Sequence, residues 1–293
     1  MKKTIIPGTL STGDLHQYLL GSVAPRPIAF VSTTDEEGHT NLAPYSFFNA
    51  FSSNPPILVF SSNRRVEGNT TKDTLHNIMS TRECVVNVVN YGIVRQMMVC
   101  SVDFPKEVSE FEESGLTPVP ASMVKAPLVA ESPVNMECRV QDIITLGDQG
   151  GAGHLIILNV LCMHISESVL DENQKIDPHK IDLMGRMGRA FYVRASGSAV
   201  MSLPQSQQLP VVGYPHLPDH VRSSGVLTAN LIGYLSGMRT WPDRNQAREN
   251  LASDEEFNSA LQTEDLIRNL HLLAQKRYSE GKSEQAAWIL ASV

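Results

Sequence analysis

Between Pro27 and Ile165 the chain is punctuated rather than periodic. Short runs of β-branched and aromatic residues alternate with turn-formers, leaving no room for regularly alternating strand–helix units. PIAFVSTT reads as a strand, DEEG as its turn and PPILVFSS as a second strand. CVVNVVN is a β-branched strand of buried type. VNMECRVQDII sets Val134, Met136, Cys138 and Val140 on one face with a period of two, and HLIILNVLCMHI is a longer strand. Helical spacing shows in TKDTLHNIMSTRE, where Leu75, Ile78 and Met79 follow a capping Thr or Asp, and in the short YGIVRQMMVCSV. Many short strands with few helical connections define a mainly β fold with helices, a closed or partly closed barrel.

The character of the chain changes near residue 200. SLPQSQQLPVVGYPHLP is rich in Pro and Gln and reads as a linker or strapped loop; it separates a domain over residues 1–200 from a linker and helical extension over 201–293. SDEEFNSAL has Ser253 three residues before Glu256, the pattern of a capping box. TEDLIRNLHLLAQKRYSEG aligns Leu266, Leu270 and Leu273 and ends at Gly281, and SEQAAWILASV follows as a further short helix. LAQKRYSEGKSEQAAWIL is faintly similar to one tetratricopeptide unit. A single unit cannot bury its own face, so the extension is expected to pack on the barrel or on a partner subunit.

Composition excludes more than it selects. The formal net charge is −7 with no long basic run, so nucleic acid is not an expected partner. No apolar run approaches the roughly 20 residues of a membrane helix. The opening MKKTIIPGTLSTGD is interrupted by Pro7 and Gly8 before a signal-peptide core forms, and the expected location is the cytoplasm. Cys84, Cys100, Cys138 and Cys162 are widely spaced without a CxxC pair, which suits reduced thiols better than a disulfide frame or a metal site. HLPDH spaces His216 and His220 around Asp219, but that spacing holds a metal only on a helix and Pro218 opposes one, so no metal is expected.

One stretch asks for more than a barrel core. HTNLAPYSFFNAFSSNPPILVFSSN, residues 39–63, puts Tyr45, Phe47, Phe48, Phe51 and Phe60 into sixteen positions of a chain that is 6% aromatic, and brackets them with Asn, Ser and Pro55-Pro56. These aromatics read either as plain core or as the bed of a flat, polar-edged ring, with Asn41, Tyr45, Ser46 and Asn49 in a loop that Pro44 helps to fix. Downstream, SSNRR and NTTKDT collect Ser61, Ser62, Asn63, Arg64, Lys72 and Thr74. They form either a solvated turn with a helix cap or a cradle for a phosphate, to which a helix starting near Asp73 would add its free N–H groups. GxxxxGK[ST] is absent, GDQGGAG lacks a strand–turn–helix context, and no Ser-His-Asp set stands out.

Four motifs then occur in a telling order: APRPIAFVSTTDEEGHTNLAPYSFFNAFSSNPPILVFSS; KDTLHNI followed by ECVVNVV; GLTPVPASMVKAPLVAESPVNMECRV; and GHLIILNVLCMHI followed by LMGRMGRAFYVR. Together, from about Thr12 to Arg194, they resemble the flavin-reductase-like FMN-binding split-barrel family, to which flavoredoxin-type proteins and the reductase components of two-component flavin monooxygenases belong. The resemblance implies a six-stranded Greek-key split β-barrel, a homodimer, and FMN near the subunit interface. It also implies that Asn41, Ala43, Tyr45, Ser46 and Phe47 line the isoalloxazine ring. Ser61, Ser62, Asn63, Lys72 and Thr74 would hold the ribityl phosphate, and Arg26 of PRPI would lie near the flavin unless it forms a surface ion pair.

His154 in GAGH matches the position of a Gly-Asp-His turn that reductases of the family carry near the nicotinamide, but Gly153 stands where the Asp would be. The histidine therefore reads as part of the site or as a structural residue at a strand start. Arg186 and Arg189 fall in a segment the family places near the flavin, or pair with surplus carboxylates. The activity implied is that of an FMN-binding oxidoreductase: an NAD(P)H-dependent flavin reductase, in which NADH or NADPH delivers hydride to FMN with no protein acid or base required. The alternative is a flavoredoxin-type electron carrier whose FMN is reduced by a redox partner protein. The extension after Met201 would cover the flavin entrance, extend the dimer or dock a partner.

Overall fold

The computed structural model describes residues 1–203 and 211–293, so part of the proline- and glutamine-rich linker, 204–210, lies outside the described residues. Those residues form two compact units, Met1–Met201 and Ser202–Val293.

The first unit is built on an antiparallel sheet. Its strands are β1 (Ala29–Thr34), β2 (Thr40–Tyr45), β3 (Phe48–Ser53), β4 (Pro56–Asn63), β5 (Glu83–Val88) and, after the two-residue pair β6 (Pro118–Val119) and β7 (Leu128–Val129), the long β8 (Val134–Thr145) and β9 (Gly153–Ile165). The order β2-β1-β5-β8-β9-β4-β3 puts β2 and β3 at opposite edges, although only Ser46 and Phe47 separate them in the chain. Seven strands laid flat would hold those edges roughly 29 Å apart at about 4.8 Å per spacing. Three Cα steps span at most about 11 Å, so the sheet has to curl. The Phe47 carbonyl accepts the Ser61 N–H at 2.8 Å and stitches the junction to β4. The result is a barrel split beside residues 46–47.

The sheet has seven strands rather than six because the stretch read as a ring-lining loop is itself paired: β2 runs against β1 with Phe30 opposite Pro44. Pro44 lacks an N–H, and it is tolerated because β2 is an edge. The outward Leu42 N–H donates instead to Glu110 Oε2 at 3.1 Å. The aromatic cluster divides accordingly. Tyr45 and Phe60 pack at 4.9 Å in the barrel core with Leu58, Cys138, Ile156 and Leu158, whereas Phe51 on β3 is 67% exposed.

Five short helices and hairpins close the ends: α1 (Thr12–Ser22), α2 (Asp73–Thr81), α3 (Val94–Val99), α4 (Glu110–Ser114) and the pair β10 (Met184–Arg186) and β11 (Tyr192–Arg194). α1 starts at Ser11, whose hydroxyl accepts the Asp14 N–H. α2 starts differently from the expected Thr or Asp cap: Lys72 is its N-cap and no side chain caps it. All four cysteines are free thiols, three of them buried and Cys162 half-buried.

The second unit is helical: α5 (Asp219–Arg222), α6 (Ala229–Ser236), α7 (Arg244–Asn250), α8 (Glu255–Ala260), α9 (Leu266–Ser279) and α10 (Ser283–Ala291). The face of the α9–α10 hairpin is covered from within the unit, in a core of Leu231, Leu235, Leu251, Phe257, Leu270 and Ile289. The cap of α8 is Asp254, which accepts the Phe257 N–H at 3.0 Å, rather than the Ser253–Glu256 box. The two histidines of HLPDH part company. His216 Nδ1 bonds the Val212 carbonyl at 2.9 Å, while His220 Nδ1 meets His271 Nε2 at 3.0 Å.

Candidate cofactor site

Phe47, at the split of the barrel, is the common wall of three clefts. One of about 410 Å³ lies between α1 and the segment Asn63–Val66 with Lys72. A second of about 280 Å³ is bounded by Arg26, Ser46, Arg186 and Tyr192. The third, about 340 Å³, lies over the outer face of β3 and β4 beside Asn49, Phe51, Val59 and Ser61. The His16 ring meets Phe47 edge-on at 6.0 Å, so α1 holds the aromatic wall from outside the sheet.

Lys72, with Arg64 and Arg65, makes the first cleft basic. The Lys72 ammonium stands 5.3 Å from the centre of the Tyr45 ring, a cation–π arrangement. No carboxylate is within ion-pair distance of it among the described residues. The nearby Asp103 is taken by Arg65 at 2.7 Å. Burial lowers the Lys72 pKa, and Asp103 opposes that lowering. The ammonium also marks the uncapped start of α2, whose first N–H groups have no intrahelical partner. A cation with no ion-pair partner among the described residues and open amides thus converge, with Asp103 held by Arg65 and Asp73 in the first turn of α2.

The polar residues around it occupy two layers. On the outer face, Ser61 Oγ donates to Asn63 Oδ1 at 2.8 Å, and Asn63 Nδ2 donates to the Gly151 carbonyl at 3.2 Å. Gly153, opposite Asn63 in the β4–β9 register, leaves the space these side chains fill: a Cβ there would stand 2.5 Å from Ser61 Oγ. On the inner face, Asn41 Nδ2 donates to Thr74 Oγ1 at 2.7 Å beneath Lys72. Tyr45, Ser62 and His154 are also turned inward, and Tyr45 Oη, Ser62 Oγ and His154 Nε2 have no hydrogen-bond partner among the described residues. Burial pushes the Tyr45 phenol up to about 12, and the neighbouring Thr74 and Ser62 hydroxyls offset only part of that. His154 Nδ1 meets Thr145 Oγ1 at 3.1 Å, and burial, then Arg64, lowers the ring's pKa, so it is neutral at pH 7.

Arg26 forms no surface ion pair. It is 4% exposed, and its guanidinium donates to the carbonyls of Leu20 at 2.7 Å, of Val23, and of Met187 at 3.0 Å. Its main chain bridges that of Arg186. Burial first, and the Arg186 charge second, lower its pKa. Arg186 lies over the Tyr192 ring at 4.5 Å, without a carboxylate partner among the described residues, and Arg189 offers it a carbonyl.

Arg26, Ser46, Phe47, Asn49, Ser61, Asn63 and Lys72 therefore line the clefts around the split. Ala43, Asn41 and Thr74 line a smaller recess beside Lys72. Tyr45 lines that recess from the barrel side, and Ser62 and His154 lie buried beneath the clefts. Sequence reading missed α1, which supplies Thr12 and His16, and it missed Arg65 and Ser101. Ser11 three residues before Asp14 was an available helix-start signal.

Residues 20–180 match the model of the flavin reductase like domain, more than half of the chain. The chain belongs to that family. A protein of Halalkalibacterium halodurans is 38% identical over 204 residues, 69% of this chain and 97% of that one. Among solved structures, nitrilotriacetate monooxygenase component B from Bacillus cereus superposes with a TM-score of 0.62 at 29% identity, covering 71% of this chain and 99% of that chain. Pseudomonas fluorescens 2-nitrobenzoate 2-nitroreductase does so with 0.60 at 30% identity, covering 72% and 100%. The helical unit from Ser202 lies beyond the family match. No helix among the described residues is long and apolar enough to cross a membrane.

Proposed function

We propose that this protein binds FMN in the clefts around Phe47 and acts as an NAD(P)H-dependent flavin reductase. The observation that carries the reading is the half-buried, unpaired Lys72 ammonium at the uncapped start of α2, which is what a phosphate dianion requires. Lys72 and the first amides of α2 would hold the phosphate, with Asn63 and Ser61 beside it. Phe47 and Ser46 would face the ring, and Arg26 fixes the position of both by tying the end of α1 to the segment after β10. Bound there, FMN would supply the redox chemistry through its ring. The chain's own part is to position it, exclude water and offset its charge. The belonging to the flavin reductase-like family and the likeness to a monooxygenase component B support the reductase activity.

A second reading, an FMN electron carrier served by a redox partner protein, is favoured by His154. The histidine is 4% exposed and its Nε2 faces the barrel interior, out of reach of a nicotinamide at the surface. Visible absorption after FMN loading and removal of excess tests both readings: a protein that retains no flavin refutes them together. Anaerobic NADH or NADPH then separates them, since bleaching of the bound flavin supports the reductase and an unchanged spectrum supports the carrier.

The proposed assembly is a homodimer. The exposed Phe51 on the edge strand β3, at the rim of a flavin cleft, supports it, because a second copy would cover an apolar edge. Sedimentation equilibrium showing only monomer at micromolar concentration would overturn it.

A further inference from the structure

On the outer face of β8 and β9, away from the clefts around Phe47, three metal-ligating side chains of different chemistry converge. Glu137 and Cys162 are directly opposite each other in the β8–β9 register, and His164 is two residues beyond Cys162 on the same face. Glu137 is 0% exposed. Its carboxylate accepts the N–H groups of Ser122 at 2.9 Å, Met123 at 2.6 Å and Val124 at 3.1 Å, which fix it rigidly. His164 Nε2 is 2.6 Å from Glu137 Oε1 and 3.7 Å from Cys162 Sγ. The three ligand atoms all lie within 4.8 Å of one another.

We propose that Glu137, Cys162 and His164 form a binding site for a borderline divalent cation such as zinc. An anchoring role for Glu137 alone needs neither partner, because three amides already satisfy the carboxylate. A histidine bond to it needs no cysteine. Zinc bonds of about 2.0–2.1 Å to nitrogen and 2.3 Å to sulfur, at a tetrahedral angle, separate N from S by about 3.6 Å, close to the separation found here. The corresponding N–O separation is about 3.3 Å, so His164 has to swing by less than about 1 Å from Glu137. Its side chain is 34% exposed and free to do so, and the same exposure gives the ion its path and a water as fourth ligand. On binding, Cys162 loses its thiol proton to solvent and His164 binds through Nε2 with its proton on Nδ1. Thiolate, carboxylate and dication then sum to zero charge. Ligand softness favours zinc over magnesium or calcium.

The probe is cobalt(II), added to the full-length protein and read as a difference absorption spectrum so that any bound flavin cancels. A saturable thiolate-to-cobalt charge-transfer band at one equivalent, displaced by zinc, is expected. Cys162→Ser, a near-isosteric change at a half-buried position, should abolish the band. His164→Ala should weaken zinc by about tenfold or more in competition with a chromophoric chelator. Absence of a saturable band in the native protein, or an unchanged band in Cys162→Ser, overturns the site. Neither result bears on the flavin reading.

Discussion

The Lys72 ammonium and the Tyr45 ring face each other at 5.3 Å, and that pairing joins the barrel core to the proposed phosphate site. Tyr45 packs inward on Phe60, while Lys72 caps the pairing at the surface. An aromatic face is a weak partner for an ammonium compared with a carboxylate, so the charge keeps most of its capacity to bind an anion.

Lys72→Ala should therefore weaken FMN by roughly tenfold or more, the loss of a charged hydrogen bond of about 1.5–3 kcal/mol. Riboflavin, which lacks the phosphate, should be almost unaffected. Removing a half-buried charge with no carboxylate partner among the described residues should change the melting temperature little, because the lost cation–π contact with Tyr45 is offset by relief of the ammonium's burial. Fluorescence titrations with the two flavins check this, and equal weakening of both would refute the cradle.

Gly153→Ala tests the geometry of the outer layer. The added Cβ would meet Ser61 Oγ at 2.5 Å and Asn63 Oδ1 at 3.2 Å, on a strand pair that cannot separate locally. Ser61 can escape only by giving up its bond to Asn63. Overpacking of this kind costs about 1–3 kcal/mol. Urea melts should show that loss, and the double variant Gly153→Ala with Ser61→Ala should recover most of it. No recovery would mean that the strand itself, not the hydroxyl, opposes the methyl group.

The sequence revealed β1, β4, β5, β8 and β9 because burial on alternating or both faces leaves a direct trace, as in Val134, Met136, Cys138 and Val140. It concealed β2 and β3, the two edges: Asn41 and Pro44 in β2 and Asn49, Ser52 and Ser53 in β3 are turn-forming types that an edge strand admits more readily than a central one. The candidate phosphate residues were legible as residue types but not as layers. Ser61 and Ser62 are adjacent, and strand alternation sends one hydroxyl out to Asn63 and the other into the core. The Glu137, Cys162 and His164 group was illegible for another reason. Its members are two residues apart on one strand and opposite on the next, a spacing that only the β8–β9 register reveals.

Arg26→Lys should be damaging despite conserving charge. The guanidinium bonds the Leu20 and Val23 carbonyls through Nη1 and the Met187 carbonyl through Nη2, and a single ammonium nitrogen cannot stand at both positions. At about 1.5–3 kcal/mol for each hydrogen bond to a charged group, losing even one or two should lower unfolding free energy by about 3 kcal/mol. Urea denaturation of the native protein and the variant measures it. A lysine variant of equal stability would show that α1 is held by other contacts.

The helical unit should lose stability in mild acid. His220 and His271 stack at 5.3 Å between ring centres, and His271 also meets Ser224 Oγ at 2.8 Å. Burial lowers the pKa of both, and for His271 the His220 charge adds to it. An unfolded histidine titrates near about 6.5, so below that pH the unfolded chain binds protons that the folded pair refuses. The stabilising contribution is complete above about pH 6.5 and is lost as pH falls through the lowered folded values. Both tryptophans, Trp241 and Trp288, lie in this unit against its core, so tryptophan fluorescence follows its unfolding. Urea midpoints should fall between about pH 7.5 and pH 5.5, and His271→Asn, whose Oδ1 can accept the Ser224 hydroxyl in place of Nδ1 but cannot titrate, should flatten that dependence. An equally steep fall in the variant would assign the acid sensitivity to other groups.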